Sequence, residues 1–238
     1  MNLLELRLKF RQLSGRYDLV NEDGSDNGAD FFINEGIKYL DRLNETKKSW
    51  ASYFKIIQPG LFSATIPHCR AIKEVWATTT QDGRWKLKKV PLQKIMEGYL
   101  IPSRNNGTPL YYSPCLTRYI PENATVTDME AFAGYVEIPS GNAHDYNAIV
   151  LNVPTDKQLM LNIIGLFYSK KLIKDTDENY WSVSHPMLLY MSAMRQLEIT
   201  QRNTQGVSDW DNAIRIEMQQ LDFDLVDELI AEADQMEG

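Results

Sequence analysis

Cysteine and histidine are scarce in this chain, two and three among 238 residues. A disulfide framework therefore does not define the fold, and Cys69 and Cys115 are expected to be reduced interior thiols. His68, His144 and His185 are not spaced as a zinc site requires. No stretch approaches the roughly 18 uninterrupted apolar residues of a membrane span, and Met1–Glu5 has no basic flank ahead of an apolar run. The expectation is a protein that stays where it is made, in which the Asn-x-Thr triplets at Asn44, Asn106 and Asn123 are chance matches. Basic excess is also lacking: the net charge is −7 and the pI about 5.1. A protein whose main task is to wrap nucleic acid needs the opposite sign. Glycine-rich phosphate loops and a Gly-x-Ser-x-Gly elbow are missing too, which removes the usual handles for nucleotide binding and serine hydrolysis.

The acidity is concentrated at one end. Residues 209–238 hold ten acidic residues against the single basic Arg215, so the rest of the chain is close to neutral. With 43% hydrophobic and 24% charged residues the composition is that of an ordinary folded protein.

Leu3, Leu6, Phe10 and Leu13 recur at helical spacing and predict an amphipathic helix ending near Ser14-Gly15. After the polar loop 21–28, Ala29, Phe32, Ile33, Ile37 and Leu40 predict a second helix running to about Lys47, with Asn27 and Asp30 resembling a capping box. From Trp50 the pattern turns to short β-branched and aromatic runs separated by Pro, Gly and Asn, as in antiparallel strands. A hairpin is expected between 72–80 and 84–90, turning at Asp82-Gly83, with further strands at 54–57, 61–66, 110–112, 116–119 and 131–138 and a helical turn at 91–98. The apolar runs 149–153 and 159–168, separated by Pro154-Thr155-Asp156-Lys157, read as a second hairpin. Ser184-His185-Pro186 predicts a helix start, followed by a stripe of Met187, Tyr190, Met191, Met194 and Leu197. A last helix is expected from Ser208, with Asp211 completing its cap.

The resulting expectation is an α+β fold: a helical base formed by N- and C-terminal helices, with a β-rich antiparallel middle subdomain. The divisions are 1–48 for the N-terminal helices, 49–170 for the β-rich middle, and 171–238 for the C-terminal helices with an acidic docking arm. Trp210, Ile214, Met218, Leu221, Leu225 and Leu229 form a continuous stripe on the last helix, and Phe223, Val226 and Ile230 add apolar surface beside it. One helix thus carries more apolar area than one groove of its own domain covers, which marks it as a partner-docking element; packing on its own helices is the competing reading.

Asp23, Ser25, Asn27 and Gly28 match the first half of a calcium loop, but Asn34 stands where a bidentate glutamate is needed. His68 and Cys69 are adjacent and on a strand face opposite ways. Asp175, Asp177 and Glu178 fall in a polar loop and read as solvated. Arg84, Lys86 and Lys88 alternate with Trp85 and Leu87, as on a strand with one wet and one buried face; with Lys89 they also make a small basic and aromatic cluster. Nothing here argues for an enzyme, a metal or a cofactor.

The chain resembles the head-to-tail adaptor (connector) proteins of tailed bacteriophages. The resemblance rests on FFINEGIKYLDR at 31–42, the stretches 61–67, 72–78 and 84–87, GLFYSKKL at 165–172 and RQLEITQRN at 195–203, which together span nearly the full length. It implies a virion structural protein at the neck, assembled as a ring of typically twelve copies between portal and tail or neck proteins. Such a ring forms part of the conduit through which DNA passes without sequence-specific binding, and its C-terminal segment commonly reaches the portal. No membrane and no cofactor are implied. The alternative is a β-rich module binding a glycan or receptor through surface aromatics such as Trp76, Trp85, Tyr111, Tyr112 and Trp181.

Overall fold

The computed structural model describes residues 1–43, 50–98, 106–115 and 146–236, those from 222 onward as helix backbone only. The fold is α+β. Two compact units emerge: Met1–Ser49 with Tyr168–Gly238 is helical, and Trp50–Phe167 is β-rich.

The helical unit contains α1 (Leu3–Ser14), α2 (Ala29–Leu43), α4 (Tyr180–Ser184), α5 (Pro186–Thr200) and α6 (Thr204–Met236). Helix α1 starts at a capping box in which the Asn2 side chain accepts from Glu5 N and Glu5 accepts from Asn2 N, and it ends at Gly15 in the left-handed region. Leu3, Leu6 and Phe10 are fully buried, whereas Leu13, expected on the same stripe, is half exposed in the last turn. Ala29, Ile33, Ile37 and Leu40 of α2 are buried against Leu189, Ala193 and Leu197 of α5. The α2–α5 approach is close at Gly36, where an added Cβ would sit 2.7 Å from Ser192 Oγ and 2.9 Å from Ala193 N.

Several local expectations are corrected. The cap of α2 is Asp26, not Asn27: its Oδ1 accepts from Gly28 N and Asp30 N, while Asn27 donates to Asp18 O. Helix α2 is described to Leu43, and residues 44–47 lie outside the described residues. Pro186 opens α5 as expected, but the buried face is Leu188, Leu189, Tyr190, Ser192, Ala193 and Leu197, and Met187 is exposed. A short α4, capped by Asn179 and Ser182, precedes it. Helix α6 begins at Thr204 rather than Ser208, because Asn203 Oδ1 accepts from Gly206 N and supplies an earlier cap.

Among the described residues the β-rich unit has eight strands and one helix: β1 (Trp50–Ile57), β2 (Ser63–Pro67), β3 (Cys69–Thr79), β4 (Gly83–Lys86), β5 (Lys88–Lys89), α3 (Leu92–Gly98), β6 (Tyr111–Pro114), β7 (Tyr146–Leu151) and β8 (Leu159–Phe167). They form two four-stranded sheets, ordered β1-β8-β3-β4 and β2-β7-β6-β5, antiparallel throughout except for the β5–β6 pair. Ile57, Val75, Ala77, Leu161 and Ile163 from the first sheet and Ala64, Ile66, Tyr112, Ile149 and Leu151 from the second form one buried core. The expected strands at 116–119 and 131–138 lie outside the described residues.

The β3–β4 hairpin forms with Thr79 opposite Gly83 and Trp76 opposite Lys86. The second arm is shorter than expected. Leu87 N still donates to Val75 O at 2.9 Å, but Lys88 and Lys89 have crossed to the other sheet, beside Tyr111 and Tyr112. The second expected hairpin does not form. Its runs are β7 and β8, which belong to different sheets: β7 pairs with β2 and β6, and β8 with β1 and β3. The connector through Thr155 is tied to the β1–β2 turn instead of folding on itself, with Gly60 N donating to Thr155 O and Thr155 N to Leu61 O.

Candidate functional site

Helix α6 carries the expected docking stripe, and its first half is built into the helical unit. Ile214 is fully buried, and Met218 and Leu221 pack against the same core. Trp210 is half-buried. A polar clamp fixes this half. Arg195 Nε of α5 meets Asp211 Oδ1 at 2.5 Å, and Tyr39 Oη of α2 donates to the same oxygen at 2.5 Å. The Arg195 guanidinium also lies 4.1 Å from the Tyr39 ring centroid, a cation–π contact. Burial, aided by the bond to Asp211, pushes the Tyr39 phenol up to about 12. Asp211 therefore does not cap α6; it joins three helices. Beyond Leu221 the helical backbone continues to Met236 through Phe223, Leu225 and Leu229.

Opposite ends of the sequence are joined by further buried polar groups. Arg7, 5% exposed, donates to Asp30 Oδ1 and Oδ2 at 2.6 and 2.7 Å and to Asp175 Oδ1 at 2.6 Å. Asp177 accepts from Ile173 N, Lys174 N and Lys170 Nζ; those backbone and ammonium donors hold its carboxyl well below the usual carboxylate range. Leu3 N and Leu4 N donate to the carbonyls of Asp177 and Asp175. The loop read as solvated thus organises the start of α1. Asp175 and Glu178 are more than half exposed, as in a solvated loop, and Glu178 lies near the N-terminal ammonium; Asp177 is the carboxylate drawn in.

In the β-rich unit, the outer face of the β1-β8-β3-β4 sheet divides in two. Phe54 and Ile56 of β1 are 57% and 59% exposed beside Met160, whereas Trp76, Arg84 and Lys86 occupy the β3–β4 side. Arg84 and Lys86 lie 4.5 and 5.6 Å from the Trp76 ring centroid, and Lys86 also pairs with Glu74. Trp85 turns inward and donates Nε1 to Pro109 O, so the alternation of one wet and one buried face is observed. Lys88 and Lys89 belong to the other sheet.

The aromatics proposed for a ligand surface do not converge. Trp181 and Tyr112 are each 1% exposed core residues, in different units, and Trp76, Trp85 and Tyr111 are half-buried. An open groove of about 560 Å³ runs along α1 past Glu5, Leu8, Lys9, Arg11, Gln12 and Tyr17, where Arg11 stacks 5.1 Å from the Tyr17 centroid.

The calcium-like loop uses its oxygens internally: Asp23 accepts from Ser25 N and Oγ, and Asn34 is buried, exchanging hydrogen bonds with Leu172 N and O. Among the described residues no three His, Cys, Asp or Glu side chains gather as metal ligands. His68 precedes β3 at a positive φ of 58°, so the His68–Cys69 step is a turn into a strand rather than part of one. Cys69 is buried, which pushes its thiol up to about 11. His185 precedes α5 with its Nε2 3.1 Å from Tyr180 Oη, and His144 lies outside the described residues. No helix among the described residues is long and apolar enough to cross a membrane.

The signal for Asn2 and Glu5 was present in the sequence as N-x-x-E. The clamp of Tyr39, Arg195 and Asp211 joins residues too far apart in sequence for any local pattern to reveal. No protein-family model matches the chain, and no curated protein is similar enough to it to count as a relative.

Proposed function

We propose that this protein is a virion structural component, a head-to-tail adaptor whose copies form a ring between the portal and the tail or neck proteins of a tailed bacteriophage. The observation that carries the reading is the division of α6. Its first half is fixed by Ile214, Met218, Leu221 and the Asp211 clamp, and its backbone then runs on as helix for about four further turns. Those turns combine Phe223, Leu225 and Leu229 with six acidic residues from Asp222 to Asp234. An anchored helix with an amphipathic continuation is suited to lie in an apolar groove of a neighbouring protein. Placed at the portal, it would couple the ring to the head.

Outside residues 209–238 the chain is close to neutral, so a conduit lined by it lacks the basic excess that would retain DNA through counterion release. In this reading the protein works by assembly in the neck, without catalysis, cofactor or membrane. The polar groups of the helical unit support it, because Arg7, Asp41 and Asp211 are each used to join elements.

The test uses the portal of the same virus. Full-length chain and a chain ending at Leu221 are incubated with purified portal rings and the complexes imaged. Full-length protein should bind and the shortened chain should not. Equal binding by both rejects the role given to residues 222–236, and no binding by the full-length chain rejects the adaptor reading.

A further inference from the structure

We infer that in the free protein the acidic continuation of α6 lies in the groove along α1 of a second copy of the chain, and that the portal later takes its place. The inference rests on the adaptor reading only for what finally claims this segment; the groove and its fit are read from α1 and from the sequence of the arm.

Four cations lie along α1 and the turn after it, and they are served unequally. Arg7 is bound by Asp30 and Asp175, and Arg16 by Asp18. Lys9 and Arg11 line the open groove of about 560 Å³ and meet no carboxylate among the described residues. Arg11 is also short of acceptors: its Nε is buried without a hydrogen-bond partner, and its Nη1 reaches only Asn21 O, at 3.5 Å. A buried donor left unpaired is costly. A carboxylate arriving in the groove supplies the missing acceptor once the guanidinium turns off the Tyr17 ring, 5.1 Å away. Glu5, the acid of the lining, is already spent on Asn2 N. Leu8 and Tyr17 are exposed beside these charges, so the groove suits a segment that is acidic and apolar at once.

Residues 222–236 have that chemistry. No Lys, Arg or His follows Arg215, whereas Leu225, Val226, Leu229 and Ile230 recur at helical spacing among Asp224, Asp227, Glu228 and Glu232. As helix these turns are about 22 Å long, against about 10 Å of α1 from Glu5 to Gln12, so the arm spans the groove with length to spare. The groove it fills is not its own. Helix α6 runs unbroken from Thr204 to Met236 and packs chiefly on α5, and from Val207 to Met236 the sequence has no Gly or Pro at which it could double back. The arm of one copy therefore meets α1 of another, a helix laid in a groove with opposite charges matched.

Mass photometry across a concentration series compares four full-length chains: wild type, K9E/Q12E, E228K/E232K, and a chain carrying all four changes. Lys9 and Gln12 are exposed, and 228 and 232 lie beyond the anchored half of α6, so thermal melts should match wild type. Wild type should associate, and salt should weaken the association. Each double variant should associate at least about tenfold more weakly. The chain with all four changes should recover to within about threefold of wild type, because its groove and arm have exchanged charges. The inference is overturned if wild type is monomeric throughout, if either double variant associates like wild type, or if the fourfold chain stays as weak as the doubles. Portal rings separate it from the adaptor reading. A chain that is monomeric when free yet binds the portal rejects the groove alone, and arm-dependent association of a chain that ignores the portal rejects the adaptor alone.

Discussion

Asp41 on α2 receives the indole Nε1–H of Trp181 at 2.7 Å, although 140 residues separate them, and its two oxygens also accept from Ser169 N and Oγ at 2.8 Å. Both partners are almost wholly buried, at 7% and 1% exposure. A carboxylate taken out of water is tolerable when its lone pairs are occupied, and here one group fixes the returning chain and α4 onto α2.

Replacing Asp41 by Ala should destabilise the helical unit by on the order of 2–4 kcal/mol, because the indole and the Ser169 donors lose an ionised acceptor. Asp41→Asn should cost less, since its carbonyl can still take the indole proton. Urea unfolding followed by tryptophan fluorescence gives both values. A cost for Asp41→Ala within experimental error of zero would show that water replaces the carboxylate and that the network is not structural.

The backbone of β8 approaches β3 so closely at Gly165 that an added Cβ would stand 2.4 Å from Ala71 O. Register irregularities in β3 fall on either side of this contact, between Cys69 and Ala71 and between Ile72 and Glu74. Gly165→Ala should therefore lower the stability of the β-rich unit by about 1–3 kcal/mol, through forced backbone shifts. Amide hydrogen exchange should show the loss across β3 and β8, with the helical unit unchanged. Unaltered protection in β3 would mean that the bulge absorbs the methyl group without strain.

What the sequence disclosed and what it hid divide along one line. Stripes at helical spacing placed α1, α2 and α5, and alternation placed the β3–β4 hairpin, because those signals are local. Partners across the chain left no local trace. The runs that became β7 and β8 are strand-like in themselves, and nothing in Pro154-Thr155-Asp156-Lys157 tells that they enter different sheets. The same holds for Leu87, where the strand leaves one sheet for the other. On the last helix, spacing picked out the face that carries Ile214, Met218 and Leu221. It did not reveal that Ile214, Met218 and Leu221 are committed to the protein's own core. Asp211 was misplaced for a related reason: a cap and a cross-helix clamp use the same residue type.

Acid should loosen that clamp. Burial raises the Asp211 pKa, but hydrogen bonds from Arg195 and Tyr39 and the charges of Arg195 and Arg215 outweigh it, leaving the folded value below the ordinary 3.8. A carboxyl with a depressed folded pKa contributes stability that is fully present above its unfolded value and is lost as pH falls through the folded one. The contribution of Asp211 should thus be intact at pH 5 and disappear below about pH 4. Stability measured from pH 6 to 2.5 should fall less steeply below pH 4 in Asp211→Asn than in wild type. Parallel curves for the two chains would assign the acid sensitivity to other carboxylates, Asp177 first among them.

Where α6 is cut should matter more than how much is removed. Ending the chain at Leu221 keeps Asp211, Ile214 and Met218 in place, so the helical unit should melt within a few degrees of full length. Ending it at Ser208 removes the fully buried Ile214 together with the acceptor of Arg195 and Tyr39. That loss should cost the helical unit on the order of 3–5 kcal/mol, combining a vacated core position with a half-buried cation left without its carboxylate. The β-rich unit, formed by Trp50–Phe167, should keep its own transition in both chains. Calorimetry distinguishes the cases. A chain ending at Ser208 that melts like full length would show that α6 contributes no core, and the division between an anchoring half and a docking half would fall with it.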